Sequence, residues 1–411
     1  MVKKNFYLFH ILFVVIFQNI DAQNLFLGDI NKSLDKHGVY IELGYTGEVF
    51  SNLYGGIEKK TVYLDNFDLI FEFDLKKIFG WKGTTINTYF LGNQGGIPSE
   101  YSGAIQGISN IAAHDTWKLY EFWLEQHLFN NKLSILFGLY DLNSEFDTRE
   151  TSALFINPSH GIGAEFSMAG ENGPSIFPTT SLALRMKYNL YKSLNIKMAV
   201  FDGVPGDLNN PNGTEVILDE DEGVLFSTEI SYGSESEELN KDYFKYSVGG
   251  WYYTNEFAKL LSLNNEISST QKGNYGLYIS AEKFILSESS YNNQGLTGFF
   301  RAGISDKNVN QVNGYLGVGV NYSGLISGRD NDVLGIALAL AHNSENYIKM
   351  MQIEDPKNKI EKFEYIFELT YHVSLFEFLS IQPDIQYIIN PAQCHNNRHS
   401  IMFGTRLQLI F

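Results

Sequence analysis

The sequence predicts an all-β fold: a transmembrane antiparallel β-barrel of about 16 strands, with short periplasmic turns and long external loops. Three observations predict it. Segments of roughly ten residues alternate apolar and polar side chains along most of the 411 residues, the repeated pattern of a membrane barrel. Beyond the first residues no stretch is apolar and long enough to span a bilayer as a helix, which takes about 20 residues. The chain closes on "SIMFGTRLQLIF", a strand of strict alternation that stops on an aromatic.

The elements follow in order. "MVKK" is basic, "NFYLFHILFVVIF" is apolar, and "QNIDA" ends on a small residue. That is the layout of a secretory signal peptide over residues 1–22, cut after Ala22, although Ile20 three residues before the cut is not small. The apolar run of about 13 residues is too short for a membrane anchor. Residues 23–38, with "LFLGDINKSLDKHG", read as an N-terminal periplasmic segment or short amphipathic helix, and residues 39–411 as the barrel. Strands are expected near 39–49, 63–74, 83–91, 117–128, 133–140, 180–189, 194–201, 224–232, 243–253, 274–283, 297–304, 314–322, 332–341, 363–372, 379–389 and 398–411. No linker or composition break divides them. Lipid offers backbone groups no hydrogen-bond partners, so such a sheet must close on itself.

If the first strand rises from the periplasm, the connections after even strands are periplasmic, and "FNNK", "YKSL" and "VSLFEF" are short. The longest connection, about 141–179, is then external and long enough to fold inward. It holds "DLNSEFDTRETSALFINPSHG".

Alternation also sorts faces. On the last strand Ile401, Phe403, Thr405, Leu407, Leu409 and Phe411 should meet lipid, with Arg406 and Gln408 inside. On "KLYEFWLEQ", Tyr120, Phe122 and Leu124 should face out and Glu121, Trp123 and Glu125 in. On the sixth strand Arg185 and Lys187 point inward beneath Leu184, Met186 and Tyr188. Arg301 points inward on the eleventh, and Glu364 and Glu368 on the fourteenth. Arg or Lys on the lipid face at mid-membrane costs roughly 2–4 kcal/mol, so energy enforces this sorting. A barrel this wide leaves a water-filled channel. Its lining is polar and carries both charge signs, which points to a pore for small hydrophilic solutes.

Composition excludes other classes. A net charge of −17 argues against nucleic acid as a partner. The single Cys394 cannot form an internal disulfide. None of the nine histidines falls in a nucleophile motif or a metal-ligand spacing; His395 and His399 are four apart but flank a loop entering a strand. Neither "LDEDEG" nor the run from Asp330 to Asp332 has an EF-hand spacing, so both read as solvated surface. No enzyme, cofactor or metal is expected.

The blocks "SLDKHGVYIELGYTGEVFSNLYGG", "FDLKKIFGWKGTTINTYFLGNQGG", "LYEFWLEQHLFNNKLSILFGLYDLNSEF", "ALFINPSHG" and "LTYHVSLFEFLSIQPDIQYIINP" resemble the carbohydrate-selective porin (OprB-type) family of Gram-negative outer membranes. The resemblance runs from about residue 33 to the last residue. It implies a sixteen-stranded barrel that lets sugars, monosaccharides such as glucose, diffuse across the outer membrane, narrowed by inward loops and lined by charged residues and aromatics. The chemistry suits a sugar. An aromatic such as Trp123 can stack on its C–H face, and Arg and Glu can bond adjacent hydroxyls. Binding must stay weak for flow to continue. The candidate solute-binding residues are Trp123, Glu121, Glu125, Arg149, Arg185, Lys187, Arg301 and Arg406, which include four of the chain's six arginines. Their structural alternatives are a charge ladder stiffening the wall, Trp123 packed on the inner loop, and Arg149 in water on the outer loop. The alternatives for function are a pore for organic acids, amino acids or ions, or a barrel plugged by its own loops with a structural or adhesive role. The expected partners are small sugars, outer-membrane lipid and the outer-membrane assembly machinery, which recognises a terminal strand ending in Phe. Monomer and homotrimer are both compatible with one pore.

Overall fold

The structure, a computed structural model, describes residues 31–411 apart from 208, 220, 235–238, 262–268, 289–292, 357–358 and 394–397. The signal peptide, the first part of the segment 23–38 and His395 lie outside the described residues; residues 31–36 are helical. Sixteen strands follow: β1 (Val39–Gly56), β2 (Thr61–Asp74), β3 (Thr84–Gly95), β4 (Thr116–Leu128), β5 (Leu133–Tyr140), β6 (Ser181–Tyr191), β7 (Leu194–Asp202), β8 (Val224–Gly233), β9 (Phe244–Ala258), β10 (Thr270–Ser287), β11 (Gly295–Ser305), β12 (Val312–Ser323), β13 (Val333–Asn343), β14 (Phe363–Phe376), β15 (Leu379–Ile389) and β16 (Arg398–Ile410).

Each strand pairs antiparallel with its sequence neighbours, and β16 pairs with β1 from Gly44↔Ile410 to Gly56↔Arg398. The barrel is closed, so no sheet edge meets lipid. Phe411 stacks on Phe378 at 5.6 Å, and Phe378 on Phe376 at the same distance.

Connections differ between the two ends. One end carries brief turns such as 129–132, 192–193 and 377–378; the other carries 96–115, 141–180 and 203–223. We call them the short-turn and long-loop ends. In the turn after β2, helix α1 (Leu75–Phe79) starts where the Asp74 carboxylate accepts from the Lys76 and Lys77 amides, and stops at Gly80, whose φ of 77° suits glycine.

The outer surface is apolar along the strands: Phe137, Leu184, Met198, Ile230, Val248, Ile279, Ile336 and Leu369 are all exposed. A continuous apolar belt of this kind has a stable place only in lipid. Exposed Phe79, Trp81, Phe129 and Tyr191 sit at the short-turn end, where interfacial aromatics belong.

The expected faces hold for β6, β11 and β14: Arg185, Arg301, Glu364 and Glu368 are buried inside, while Leu184, Phe300 and Phe367 are exposed outside. β4 needs one correction. Tyr120 does not face lipid. The β3–β4 register runs Tyr89↔Glu121 and then Phe90↔Leu119, so Tyr120 is an extra residue. This β-bulge lets two successive side chains, Tyr120 and Glu121, point inward, and alternation changes phase across it. Above it Thr116, Lys118 and Tyr120 face in; below it Glu121, Trp123 and Glu125 do.

Two loops fold into the barrel. The connection 141–180 does so as expected, and 96–115 does so as well. Their apolar residues pack on the inner wall in two clusters. Ala104, Ile108 and Ile156 meet Phe50, Tyr315, Ile366 and Ile388 on one side. Phe146, Ile162 and Phe166 meet Phe201, Trp251 and Tyr278 on the other, with Phe166 stacked on Trp251 at 4.9 Å.

Candidate functional site

The loop 141–180 is fixed by buried ions. On β11, Arg301 is 1% exposed; its Nη2 lies 2.8 Å from Asp147 Oδ2 and its Nη1 2.6 Å from Glu165. Arg149 shares Asp147 at 2.5 Å and donates to the His160 and Gly161 carbonyls. Asp147 and Glu165 come from the loop, Glu165 from the short helix α2 (Ala164–Ser167). Room for the cluster depends on two glycines: a Cβ on Gly163 would stand 2.0 Å from Arg301 Nη1, and one on Gly303 1.9 Å from Glu165 Oε1.

A second device recurs around the wall. Inward glutamates accept hydrogen bonds from loop backbone amides. Glu282 on β10 takes Glu150 N and Thr151 N at 3.2 and 2.8 Å. Glu368 on β14 takes Ile156 N and Asn157 N at 2.6 and 3.1 Å. Glu364 takes Ile105 N and Gln106 N, both at 3.1 Å, from the other loop. Glu229 on β8 takes Asp147 N at 2.8 Å, and Glu121 on β4 takes Asp141 N at 2.8 Å. In a dry site, away from competing water, such carboxylate–amide bonds are stronger than the same bonds at the surface.

The remaining candidates form two further groups. Arg185 bridges Glu125 of the wall at 2.8 Å and Glu145 of the loop at 2.6 Å, and Lys187 reaches Glu145 at 3.3 Å. Arg406 on β16 meets Glu48 at 2.5 Å and donates to Asn110 of the loop 96–115. Arg149 is thus inside the barrel and buried rather than in water. Trp123 is half-buried, edge-on to Tyr140 at 6.3 Å, with its indole N–H on Glu121 Oε2 at 3.1 Å.

Most of the inner wall is covered. Along β7–β15 the inward side chains are buried for most of each strand. The accessible inner surface lies on β2–β4 towards the short-turn end, where Asp68, Ile70, Glu72, Tyr89, Trp123 and Glu125 keep solvent exposure, with Lys187 beside them. The part of the inner wall left open to solvent is therefore on β2–β4, away from the strands that the clamped loop covers.

Sequence reasoning placed the wall residues but missed their loop partners Asp141, Glu145, Asp147 and Glu165. Asp141 accepts the Tyr120 hydroxyl at 2.6 Å, and burial pushes its carboxyl up to about 6. His160 is buried between Phe155 and Phe299, 5.0 and 5.7 Å away. It faces Glu368 Oε2 at 3.7 Å, too far for a hydrogen bond. Burial, aided by the Arg149 charge, holds its ring down to about 3. The folded value lies below the usual one near 6.5, so the stability that neutral His160 contributes is complete above that pH and is lost as pH falls towards 3. We expect the melting temperature to drop between pH 7.5 and 5, and His160→Phe to lessen the drop. An equal drop in the variant would acquit His160.

With this geometry in view, comparison with known proteins is specific. The family model described as "Carbohydrate-selective porin, OprB family" matches residues 58–411. Porin B of Pseudomonas aeruginosa is 25% identical across 93% of this chain and 90% of its own length. The putative porin QuiX of Acinetobacter baylyi is 20% identical across 93% and 92%. The high-pH structure of Pseudomonas putida OprB superposes with a TM-score of 0.81 at 22% identity, covering 94% of this chain and 97% of that one. The family and these relatives are channels rather than enzymes. A closed sixteen-stranded barrel with an apolar belt and a loop-narrowed polar interior is what such a channel needs, and the chain belongs to the OprB family of carbohydrate-selective porins of the Gram-negative outer membrane.

Proposed function

We propose that the pore passes monosaccharides such as glucose and holds back larger sugars. The observation that carries this is the clamping of two inward loops by buried ions and glutamates, which narrows the interior and holds the narrowing loops in place. Trp123, Glu125 and Lys187 meet the solute on this reading, since they border the accessible surface, while Glu121, buried and bonded to the Asp141 amide, helps to hold the loop. Trp123 stacks on the sugar's C–H face and the charged groups exchange hydrogen bonds with its hydroxyls. Arg149, Arg185, Arg301 and Arg406 act differently from the sequence expectation: they set the width by holding the loops, because side chains so buried and so fully paired offer a solute little surface. The long-loop end faces the cell exterior, residues 1–22 direct export, and β16 with its terminal Phe411 is the element the assembly machinery reads.

Liposome swelling with the refolded protein tests this. Glucose should enter faster than a disaccharide and faster than an amino acid or organic acid of similar size. Ranking by size alone would make the pore a general one. Trp123→Ala should slow glucose several-fold and leave a size-matched amino acid unchanged; equal slowing of both would remove Trp123 from sugar recognition.

A further inference from the structure

Lys118 lies on β4 above the bulge, with its side chain inside the barrel and only 8% exposed. Its Nζ donates to Thr179 Oγ1 at 3.1 Å. An ammonium carries three donors. Among the described residues no carboxylate comes within ion-pair distance of it. Other inward cations are matched: Lys197 with Glu229 at 2.7 Å, Lys245 with Glu282 at 4.0 Å, and the arginines as above. Burying an ammonium without a counter-charge is costly, so the site is built for an anion that arrives from outside the chain.

The surroundings agree. Lys118 lines a cavity of about 280 Å³ with His114, Thr116, Ser167, Asn172 and Phe177. That is near the lower end of the roughly 300–1,000 Å³ typical of small-molecule pockets. Among the described residues the lining holds two basic residues and no acid, in a chain with 47 acids against 30 bases. The nearby Asp115 carboxylate is engaged elsewhere, accepting from Gly95 N at 2.9 Å. The Phe177 ring, edge-on to Tyr120 at 6.3 Å, supplies an apolar wall beside the polar groups. Tyr120, Glu121 and Trp123 follow on the same strand, so the cavity lies on the long-loop side of the accessible wall.

We infer that this cavity is an entry subsite for sugar acids: Lys118 pairs with the carboxylate of an aldonate or uronate while Phe177 meets its carbon skeleton. This rests on the sugar-porin reading and names a charged class of substrate for it. Lys187 on the accessible wall offers the carboxylate a further positive partner.

Two measurements test it on the full-length refolded protein. Calorimetric titration with glucuronate should show saturable binding to the wild type, a loss of tenfold or more in affinity in Lys118→Gln, and recovery in Lys118→Arg. In swelling assays Lys118→Gln should slow glucuronate about tenfold and change glucose less than twofold. Unaltered glucuronate binding in Lys118→Gln would overturn the inference, as would equal slowing of glucose and glucuronate, which would make Lys118 a general hydroxyl contact. Glucose entering no faster than a size-matched amino acid would instead strike at the sugar-porin reading and leave the titration to decide on Lys118.

Discussion

Arg301→Ala is expected to release the inward loop and widen the channel. The substitution removes the guanidinium that lies 2.8 Å from Asp147 and 2.6 Å from Glu165. Both carboxylates are fully buried, and Asp147 would keep Arg149 while Glu165 would keep no ion partner among the described residues. Removing one member of a buried ion pair typically costs about 3–5 kcal/mol, because the remaining charge is left without compensation. The barrel's strand pairing does not depend on this side chain, so the wall should still assemble. The loop should swing out, because burying Glu165 alone costs more than exposing it. Single-channel conductance should rise several-fold and a disaccharide should enter nearly as fast as glucose. Unchanged conductance would mean that the backbone bonds to Glu229, Glu282 and Glu368 hold the loop without Arg301.

Phe367→Arg is expected to abolish assembly. Phe367 is 44% exposed on the outer face of β14, between Leu338 on β13 and Tyr387 on β15. A charge in the apolar belt costs roughly 2–4 kcal/mol near mid-membrane. The yield of folded barrel should fall by at least tenfold. Glu364→Gln, three residues away on the other face, should assemble normally. It converts one acceptor of the Ile105 and Gln106 amides into a donor, so it should loosen the loop 96–115 and raise conductance. Normal yield for Phe367→Arg with failure of Glu364→Gln would reverse the faces of β14.

These two substitutions also mark what the sequence makes legible. Period-2 alternation reports which face meets lipid, because the bilayer penalises every error along a strand; β6, β11, β14 and the sixteen-strand count could therefore be read directly. Tyr120 could not. A bulge changes the phase of alternation without changing residue type, and "LYEFW" reads equally well unbroken. The loop 141–180 announced itself by length, but its partners did not, since Arg301 and Asp147 are 154 residues apart in the chain. The inward glutamates were visible as inward and acidic; that they hold backbone amides rather than solutes depends on loops whose path alternation does not encode. Lys118 went unnoticed for the same reason: its isolation from acids among the described residues exists only once the loops are in place.

The glutamate contacts to the loops have one more implication. A carboxylate that grips a peptide N–H reads no side chain, because almost every residue type presents the same group. Glu282 would hold most sequences at positions 150 and 151, and Glu368 most sequences at 156 and 157, proline excepted. The attachment points of these loops are thereby uncoupled from their chemistry. New solute preferences could be written into the loop surface by substitution alone, with the wall continuing to hold the backbone, and a library randomised at loop positions facing the passage is the natural starting material for retuning the pore.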